Sequence, residues 1–289
     1  MSAPRTDDLA ALEAGLDALE TPQVVRVPRA RRVWEAAWPP ALLVLALVAV
    51  WQVVVALGLV PESDLPSPGS TAAALGDQLS SGDLLPAVAT STSRAAVGFG
   101  ASVVVGTLLG LVVGQLRPVR RALGPLLSVL QSLPAVAWVP AAVLWFGTGE
   151  ATVLVVVLFG AVPSVANGVV HGLDQVPPLL RSAARVLGAR GLASARYVLL
   201  PASLPGFLAG VRQGWSFAWR SLMAVELLVA SSSAGVGNLL DQSRKAADMA
   251  GVLAGVVTIL VIGVLVELCL FAPVERRVLR RRGLQAATG

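Results

Sequence analysis

The 289-residue chain is poor in charged residues and contains one cysteine and one histidine. Asp, Glu, Lys and Arg make up 13% of it, against roughly 25% in soluble proteins, and 55% is apolar. A single cysteine, Cys269, excludes an internal disulfide, and His171 alone cannot build a Cys/His metal cluster. The composition predicts an integral membrane protein.

A phosphate-binding loop is also missing from the sequence. Such a loop ends in Gly-Lys-Ser/Thr, and the only lysine, Lys245, follows Arg244 instead of a glycine. The chain therefore cannot bind ATP through this motif, and we expect no cofactor in it. Any ATP-driven work would need a motor on another polypeptide.

Six apolar segments are each long enough for the roughly 20 residues that cross a bilayer. They are 41–60, 88–115, 122–147, 151–170, 206–230 and 252–272. Pro134 and Pro140 interrupt the third segment and predict a kinked or broken helix there. The pattern predicts an all-α bundle of six transmembrane helices, a transmembrane domain over 41–275 between polar tails over 1–40 and 276–289.

The basic residues lie mainly at one end of these spans. Most of the 22 Lys and Arg fall in the two tails, after the second span and in the loop 173–205, whereas 61–87 contains none. The positive-inside rule therefore predicts that both termini are cytoplasmic. Because the charges form no continuous face, we expect no nucleic-acid partner. In the amino-terminal tail, leucines recur at helical spacing, at Leu9, Leu12, Leu16 and Leu19. The tail is therefore either a helix that binds a partner or a mobile extension, and the sequence does not favour one over the other.

The segment 180–205 combines helical periodicity with four arginines and no acidic residue. Ser182-Ala183-Ala184 is followed after three residues by Gly188, and after nine more by Val198-Leu199-Leu200-Pro201. Its apolar surface suits a groove of another protein, although an amphipathic helix on the membrane surface is the alternative. The spacing resembles the EAA loop of ABC importer permeases, with Ser182 in place of the usual Glu.

In that family the loop forms a cytoplasmic coupling helix that docks on an ATPase subunit. The resemblance implies that the ATPase-coupling residues are Ser182, Ala183, Ala184, Leu187, Gly188 and Ala189. Two further stretches, LPAVAWVPAAVLWFGTGE from Leu133 and VELLVASSSAGVGNLL from Val225, resemble the nitrate, sulfonate and taurine permeases of the same family. The resemblance extends over about residues 65–275.

This resemblance implies a type I ABC importer permease fold and a place in the bacterial plasma membrane. It implies an ATP-driven, binding-protein-dependent import of small organic anions. Aliphatic sulfonates or taurine are the substrates that it favours most. Nitrate, bicarbonate and a thiamine-precursor pyrimidine stay open as substrates. The implied partners are two copies of an ABC ATPase that bind ATP and Mg, a second permease copy in a homodimer, and an extracytoplasmic substrate-binding protein.

The fifth span carries charge at membrane depth. Arg220 lies about 20 Å along the helix from the cytoplasmic loop, where an arginine costs roughly 2.5–3.5 kcal/mol. Glu226 is six residues further and on another face, so Arg220 needs another acceptor, such as a backbone carbonyl, or faces a passing anion. We expect the translocation pathway to include Arg220, Trp219, Glu226, Gln131 and Trp138.

A secondary transporter driven by an ion gradient is an alternative from a different class. It needs buried carboxylates to carry the coupling ion, and the candidates Glu226 and Glu267 lie near span ends. An intramembrane enzyme needs a nucleophile and a base, which one cysteine and one histidine do not supply here. Both alternatives leave 180–205 without a role, so we expect a transport subunit and no enzyme.

Overall fold

The computed structural model describes residues 29–189, 191–229 and 235–280. Within these ranges the chain forms helices and turns and no strand, so the all-α prediction is confirmed. The predicted amino-terminal helix, Arg190 and the basic residues after Arg280 lie outside the described residues. Residue contacts divide the chain into two units, Met1–Leu57 and Gly58–Gly289.

Helix α1, Arg29–Ala56, is the described part of the first unit. Its portion Trp38–Ala56 has a mean hydropathy of 2.2 and is long enough to cross a membrane. The helix ends a few residues before the predicted boundary at 60, close to Gly58, whose φ of +63° is left-handed. A left-handed residue cannot continue a right-handed helix, which accounts for the earlier end.

The second unit holds the remaining helices. They are α2 (Pro68–Ser80), α3 (Leu84–Gln115), α4 (Arg117–Ser132), α5 (Val139–Phe146), α6 (Glu150–Asp174), α7 (Pro178–Val186), α8 (Leu200–Leu228), α9 (Val236–Lys245), α10 (Met249–Val266) and α11 (Ala272–Arg280). Short turns of helix join some of them, at Ala135–Trp138 before α5, Leu192–Ser194 and Ala195–Leu199 before α8, and Glu267–Phe271 before α11.

Four described helices are long and apolar enough to cross a membrane, and the bent pair α4/α5 raises this number to five. The four are α1, α3, α6 and the stretch from Met249 to Val278. The fifth predicted span corresponds to α8, which has 29 residues but is less apolar because of Arg212, Gln213 and Arg220. These five and α8 correspond to the six predicted spans.

The break in the third predicted span lies at Leu133 and Pro134. Helix α4 ends at Ser132, and the second arm, Ala135–Phe146, leaves it at an angle of 100°. Leu133 is extended, with ψ of 130°, as expected for a residue before proline. Pro140 lies in the first turn of α5, where its missing N–H costs no helical hydrogen bond. Pro134 therefore breaks the span, and Pro140 helps to start its second arm.

Helix α6 lies between α3 and α8, and 67% of its apolar window is buried. Gly110 of α3 meets α6 so closely that an added methyl group would lie 2.6 Å from the carbonyl oxygen of Ala166. On the other side, Gly168 and Gly172 of α6 face Gly210 and Gly206 of α8, without room for a side chain on either helix. We call α3, α6 and α8 the central slab.

Replacing Gly168 by valine should destabilise this slab. The new side chain would meet the backbone of Gly210, and overpacking of this kind typically costs about 1–3 kcal/mol. We expect a lower thermal midpoint for the purified chain in detergent, measured by tryptophan fluorescence. Gly100→Val on α3 is the matched control, because an added Cβ there has no neighbour within 4 Å. Equal midpoints for the two variants would contradict the close packing.

Candidate functional site

The first candidate site is the predicted coupling segment, which forms α7 and the turn after it. Helix α7 ends at Val186, and Gly188 follows with φ of +81°. The Gly188 N–H donates to Arg185 O at 3.1 Å and the Ala189 N–H to Ala184 O at 2.8 Å. This pair of bonds is a Schellman C-cap, which requires a left-handed residue at the glycine position. Gly188 therefore makes a sharp turn that splits the segment 180–205 into separate helices.

The outer surface of α7 is apolar and basic. Among the large apolar residues of this segment, Val186 and Leu187 are the most exposed, with 87% and 85% of the residue surface accessible, and Ala184 faces inward. Ser182 and Ala183 are exposed, and Arg185 donates a hydrogen bond of 3.4 Å to the Ser182 hydroxyl. Exposed apolar side chains on a short helix are typical of a protein-docking surface.

A polar contact ties this segment to the central slab, and a second contact ties the same end of the slab to α4. Arg181 of α7 donates to the carbonyl of Leu173 in the last turn of α6. Asp174, the final residue of α6, accepts a hydrogen bond of 2.8 Å from Arg120 of α4. A displacement of α7 would therefore act on the ends of α4 and α6 together.

The second candidate site surrounds Arg220 on the exposed face of α8. Its Nε donates to the carbonyl oxygen of Ser216 at 3.0 Å, and its guanidinium lies 4.8 Å from the ring centre of Phe217. Arg94 and Arg212 pair with carboxylates, whereas no ion pair to Arg220 is found among the described residues. Within the described part of the chain, its positive charge is stabilised by a backbone carbonyl and an aromatic face.

Arg220 borders two neighbouring cavities. One, of about 420 Å³, is lined by the break in the third span and by α8, with Gln131, Ser132, Phe217 and Ser221 among its walls. The other, of about 360 Å³, is lined by Ser216, Trp219 and Glu267, among others. Irregular backbone at membrane depth is tolerated where it is buried in protein or lines a water-filled space. The break at Pro134 and the side chain of Arg220 thus share a cavity, in which Arg220, Gln131 and two serines are the polar groups among mostly apolar walls.

A third cavity extends this row along α8. It has a volume of about 320 Å³ and includes Arg212, Gln213 and Ser216. Arg212 pairs there with Glu267 and, at 2.9 Å, with Glu275. Ser216 lines both this cavity and the one of about 360 Å³, and Arg220 lines that one and the one of about 420 Å³, so the three cavities are adjacent along α8.

The other predicted pathway residues have different surroundings. Gln131 lines the larger Arg220 cavity and accepts a hydrogen bond of 2.8 Å from Asn167. Trp219 is buried and stacks on Trp215, with ring centres 5.9 Å apart. Trp138 stacks on Phe159 at 4.5 Å.

Glu226, the last of the predicted pathway residues, lies outside the cavities around Arg220. It is 1% exposed, and its carboxylate accepts hydrogen bonds from Arg94 at 2.9 Å and from Ser91 at 2.7 Å. Arg94 also pairs with Glu150 of α6. Glu226, Arg94 and Glu150 were each visible in the sequence as a charge in or beside an apolar span. Arg94 is 56 residues from Glu150 and 132 residues from Glu226, so the sequence does not show that they pair.

Helix α9 carries the balanced charges of the segment after α8. Asp241 accepts from Lys245 and Arg244, each at 2.6 Å. The hydrogen bond from Lys245, and next the one from Arg244, hold the pKa of the Asp241 carboxyl below its ordinary value. The charges of this segment are therefore largely neutralised within one helix.

Comparison with known proteins matches residues 102–280 to the family described as binding-protein-dependent transport system inner membrane component. The chain is 32% identical over 246 residues to the putative aliphatic sulfonates transport permease protein SsuC of Bacillus subtilis, covering 85% of this chain and 88% of the relative. It is 31% identical to the taurine transport system permease protein TauC of Escherichia coli, over 80% and 85% of the two chains. Identity to the nitrate import permease protein NrtB of Synechocystis is 28%, over 79% and 84%.

A solved structure of the MetNI methionine ABC transporter in inward-facing conformations has a similar fold. The likeness has a TM-score of 0.57 at 20% identity and covers 68% of this chain and 95% of the other. It supports the predicted type I ABC importer permease fold. By this fold and the family match, the chain belongs to the binding-protein-dependent inner membrane components, the membrane permease subunits of ABC importers.

Proposed function

We propose that the chain forms the pathway of an ATP-driven importer of small organic anions, aliphatic sulfonates or taurine first. The observation that carries this proposal is Arg220, a guanidinium with no carboxylate partner among the described residues, beside a cavity of about 420 Å³. A cation at membrane depth is costly unless it is compensated, and a passing anion would compensate it. The amide N–H groups of Gln131 add donors to the same cavity, whereas the hydroxyls of Ser132 and Ser221 donate to backbone carbonyls of their own helices.

The choice among anions rests on chemistry and on the relatives. A guanidinium donates two parallel hydrogen bonds to a sulfonate, a nitrate or a bicarbonate. Two of the relatives quoted above carry sulfonate or taurine transport in their names, and one carries nitrate import. A neutral thiamine-precursor pyrimidine would leave the Arg220 charge uncompensated, so the site favours it least.

The energy source in this proposal is a separate ABC ATPase that binds ATP and Mg. The exposed apolar side chains of Val186 and Leu187, next to the basic Arg185, would lie in a groove of that subunit. Ser182, Ala183, Gly188 and Ala189 complete the docking surface, whereas the buried Ala184 faces away from it and stays outside the proposed contact. By the charge distribution, this surface and both termini face the cytoplasm of a bacterium, and the substrate-binding protein docks on the opposite side.

The assembly in this proposal contains two permease copies and two ATPases. Arg220 is exposed on the surface of the single chain, and its cavities are open on the same side. A second copy facing this surface would enclose the pathway between the two chains, since two-fold dimers bring the same surface together. A homodimer thus provides two guanidinium groups along one path.

The transport cycle is alternating access driven by the ATPases. Their closure on ATP would displace α7, the contact of Arg181 with Leu173 would pass the displacement to α6, and the contact of Asp174 with Arg120 would pass it on to α4. Because glycine contacts leave no space between α6 and its neighbours, the central slab would turn as one body. The pathway then opens outward, and it opens inward after hydrolysis. The chain itself performs no covalent chemistry.

Ion-gradient transport is disfavoured by the surroundings of the intramembrane carboxylates. Glu226 is held by Arg94 and Glu267 by Arg212, so each carboxylate has an arginine partner. A carboxylate that carries a proton or sodium must release a partner in every cycle. The Arg94–Glu226 pair is buried and the Arg212–Glu267 pair is partly exposed, and the pairing of both carboxylates supports the ATPase-driven alternative.

Replacing Arg220 by glutamine should abolish most anion uptake. Loss of a charge-assisted hydrogen bond costs about 1.5–3 kcal/mol, or about 10–100-fold in apparent affinity. We expect that loss in vesicles that contain the permease and its ATPase, with the binding protein outside and with taurine and nitrate each tested. Arg220→Lys should retain part of the activity, and Arg121→Gln, which removes a charge from α4, should retain it all. Unchanged uptake by Arg220→Gln would remove Arg220 from the pathway.

Replacing Gly188 by valine should abolish transport and leave membrane insertion intact. A β-branched residue is strained at φ of +81°, by roughly 1–2 kcal/mol, so the cap after α7 would rearrange. Gly188→Asn is the matched control, because asparagine tolerates this conformation. Uptake and membrane content are measured for both. Normal uptake by the valine variant would exclude this turn from coupling.

Purification of the tagged chain from its native membrane in a mild detergent tests the partner directly. We expect an ABC ATPase to co-purify in stoichiometric amount, identified by mass spectrometry. Removing the apolar docking surface with Val186→Ser and Leu187→Ser should release it. A chain that purifies alone, under conditions that preserve other membrane complexes, would favour a self-sufficient transporter.

A further inference from the structure

Glu226 lies at the centre of a buried polar cluster at the carboxyl-terminal end of α8. The charge distribution places this end of the helix on the outer side of the membrane. Both Glu226 and Ser91 of α3 are almost fully buried, and the Ser91 hydroxyl donates to the Glu226 carboxylate at 2.7 Å. Arg94, one turn further along α3, donates to the same carboxylate at 2.9 Å. A buried carboxylate requires such partners, because a lone charge in the protein interior is strongly unfavourable.

The same cluster holds the first turn of α9. The Val236 N–H donates to the Ser91 hydroxyl at 2.9 Å, and the Gly237 N–H donates to the Glu226 carboxylate at 3.1 Å. The Asn238 amide donates to two carbonyls at the end of α8, Glu226 O at 2.7 Å and Val229 O at 3.2 Å. Residues on α3 and α8 thus satisfy the free N–H groups that begin α9.

Two glycines leave space for this contact. An added Cβ at Gly237 would lie 2.6 Å from the Glu226 Cβ, and one at Gly235 would overlap the carboxylate itself. Positions 235 and 237 must therefore lack a side chain if Glu226 is to reach the start of α9. The charge also favours the contact, because a carboxylate is stabilised at the amino end of a helix.

We propose that Glu226 is a positioning residue that makes α9 move together with the central slab. The proposal rests on the proposed transport function, in which the slab turns when α7 is displaced. Ser91 and Arg94 hold the carboxylate from α3, and the carboxylate holds α9 from α8. The ATPase motion at one end of the slab would thereby reach the segment around α9 at the other end, where substrate enters.

Arg94 has a second partner that makes the cluster more rigid. Its guanidinium also pairs with Glu150 in the first turn of α6, so one side chain joins α3, α6 and α8. The two carboxylates differ in burial, since the Glu150 side chain is 58% exposed and that of Glu226 is fully buried. The buried one accepts a hydrogen bond from the first turn of α9.

A distance measurement in the complete transporter tests this proposal. Spin labels are attached to cysteines at Ala151 on α6 and Gln242 on α9, both exposed, after Cys269→Ser removes the native thiol. The permease and its co-purified ATPase are placed in lipid nanodiscs, and electron–electron distances are measured without nucleotide and with ATP and vanadate. Singly labelled samples identify distances between two permease copies.

We expect one narrow distance population that is the same in both nucleotide states. Ser91→Ala removes a hydroxyl that touches both Glu226 and α9, and it should broaden or split the population. Ser93→Ala is the matched control, because the Ser93 hydroxyl bonds only to Thr90 of its own helix and should leave the distance unchanged. Glu226→Gln removes the charge that Arg94 and the start of α9 share, and it should broaden or split the population in the same way.

Two results would overturn the proposal. One is a shift of several ångströms in the parent protein between the nucleotide states, which would show that α9 moves independently of α6. The other is an unchanged distance in both Ser91→Ala and Glu226→Gln. If the chain purifies without an ATPase, the proposed function fails. The comparison of Ser91→Ala with Ser93→Ala still tests whether Ser91 and Glu226 hold α9 against the central slab.

Discussion

The close glycine contacts of α6 with α3 and α8 are the constraint on which the rest of the structure depends. In a membrane, helices gain little from hiding apolar surface, and they associate through close packing of small residues. Gly110 of α3 and the facing pairs Gly168/Gly210 and Gly172/Gly206 bring the three backbones together without space for side chains. A unit packed in this way is stiff, so it can pass a displacement from one end to the other.

The intramembrane charges divide into fixed pairs and one uncompensated site. Arg94 and Arg212 each pair with two carboxylates, and these pairs meet α8 at Glu226, near its end, and at Arg212, near its middle. Arg220 lies between them along the helix, bonded to a backbone carbonyl and beside the break at Pro134. Charge that is neutralised inside the protein supports the fold, and charge that is left over is available to a transported anion. This contrast links the packing to the proposed substrate class.

Much of this arrangement could be predicted from the sequence because it depends on local signals. The lengths of the apolar segments predicted the spans, and Pro134 predicted the break in the third one. The spacing after Ser182 predicted helix α7 and the glycine turn that follows it. The carbonyl acceptor of Arg220 was also expected as one option, and Ser216 lies one turn away on the same helix. The glycines of α6 and α8 recur every four residues and could have been recognised as a packing face.

The remaining features depend on contacts between distant segments. Glu226 was assigned to the pathway because it is a charge in a span, and nothing local shows that Arg94, 132 residues earlier, neutralises it. The similarity of VELLVASSSAGVGNLL to related permeases indicated that the stretch matters without giving the reason. The structure supplies one, because Gly235 and Gly237 leave the space that the Glu226 carboxylate occupies.

The most direct test of the account is uptake of radiolabelled taurine into liposomes that contain the permease and its ATPase, with the binding protein outside. The account predicts uptake that requires ATP in the ATPase compartment and the binding protein, and that persists when ionophores dissipate all ion gradients. Uptake by the permease alone, driven by a proton or sodium gradient and indifferent to ATP, would contradict it.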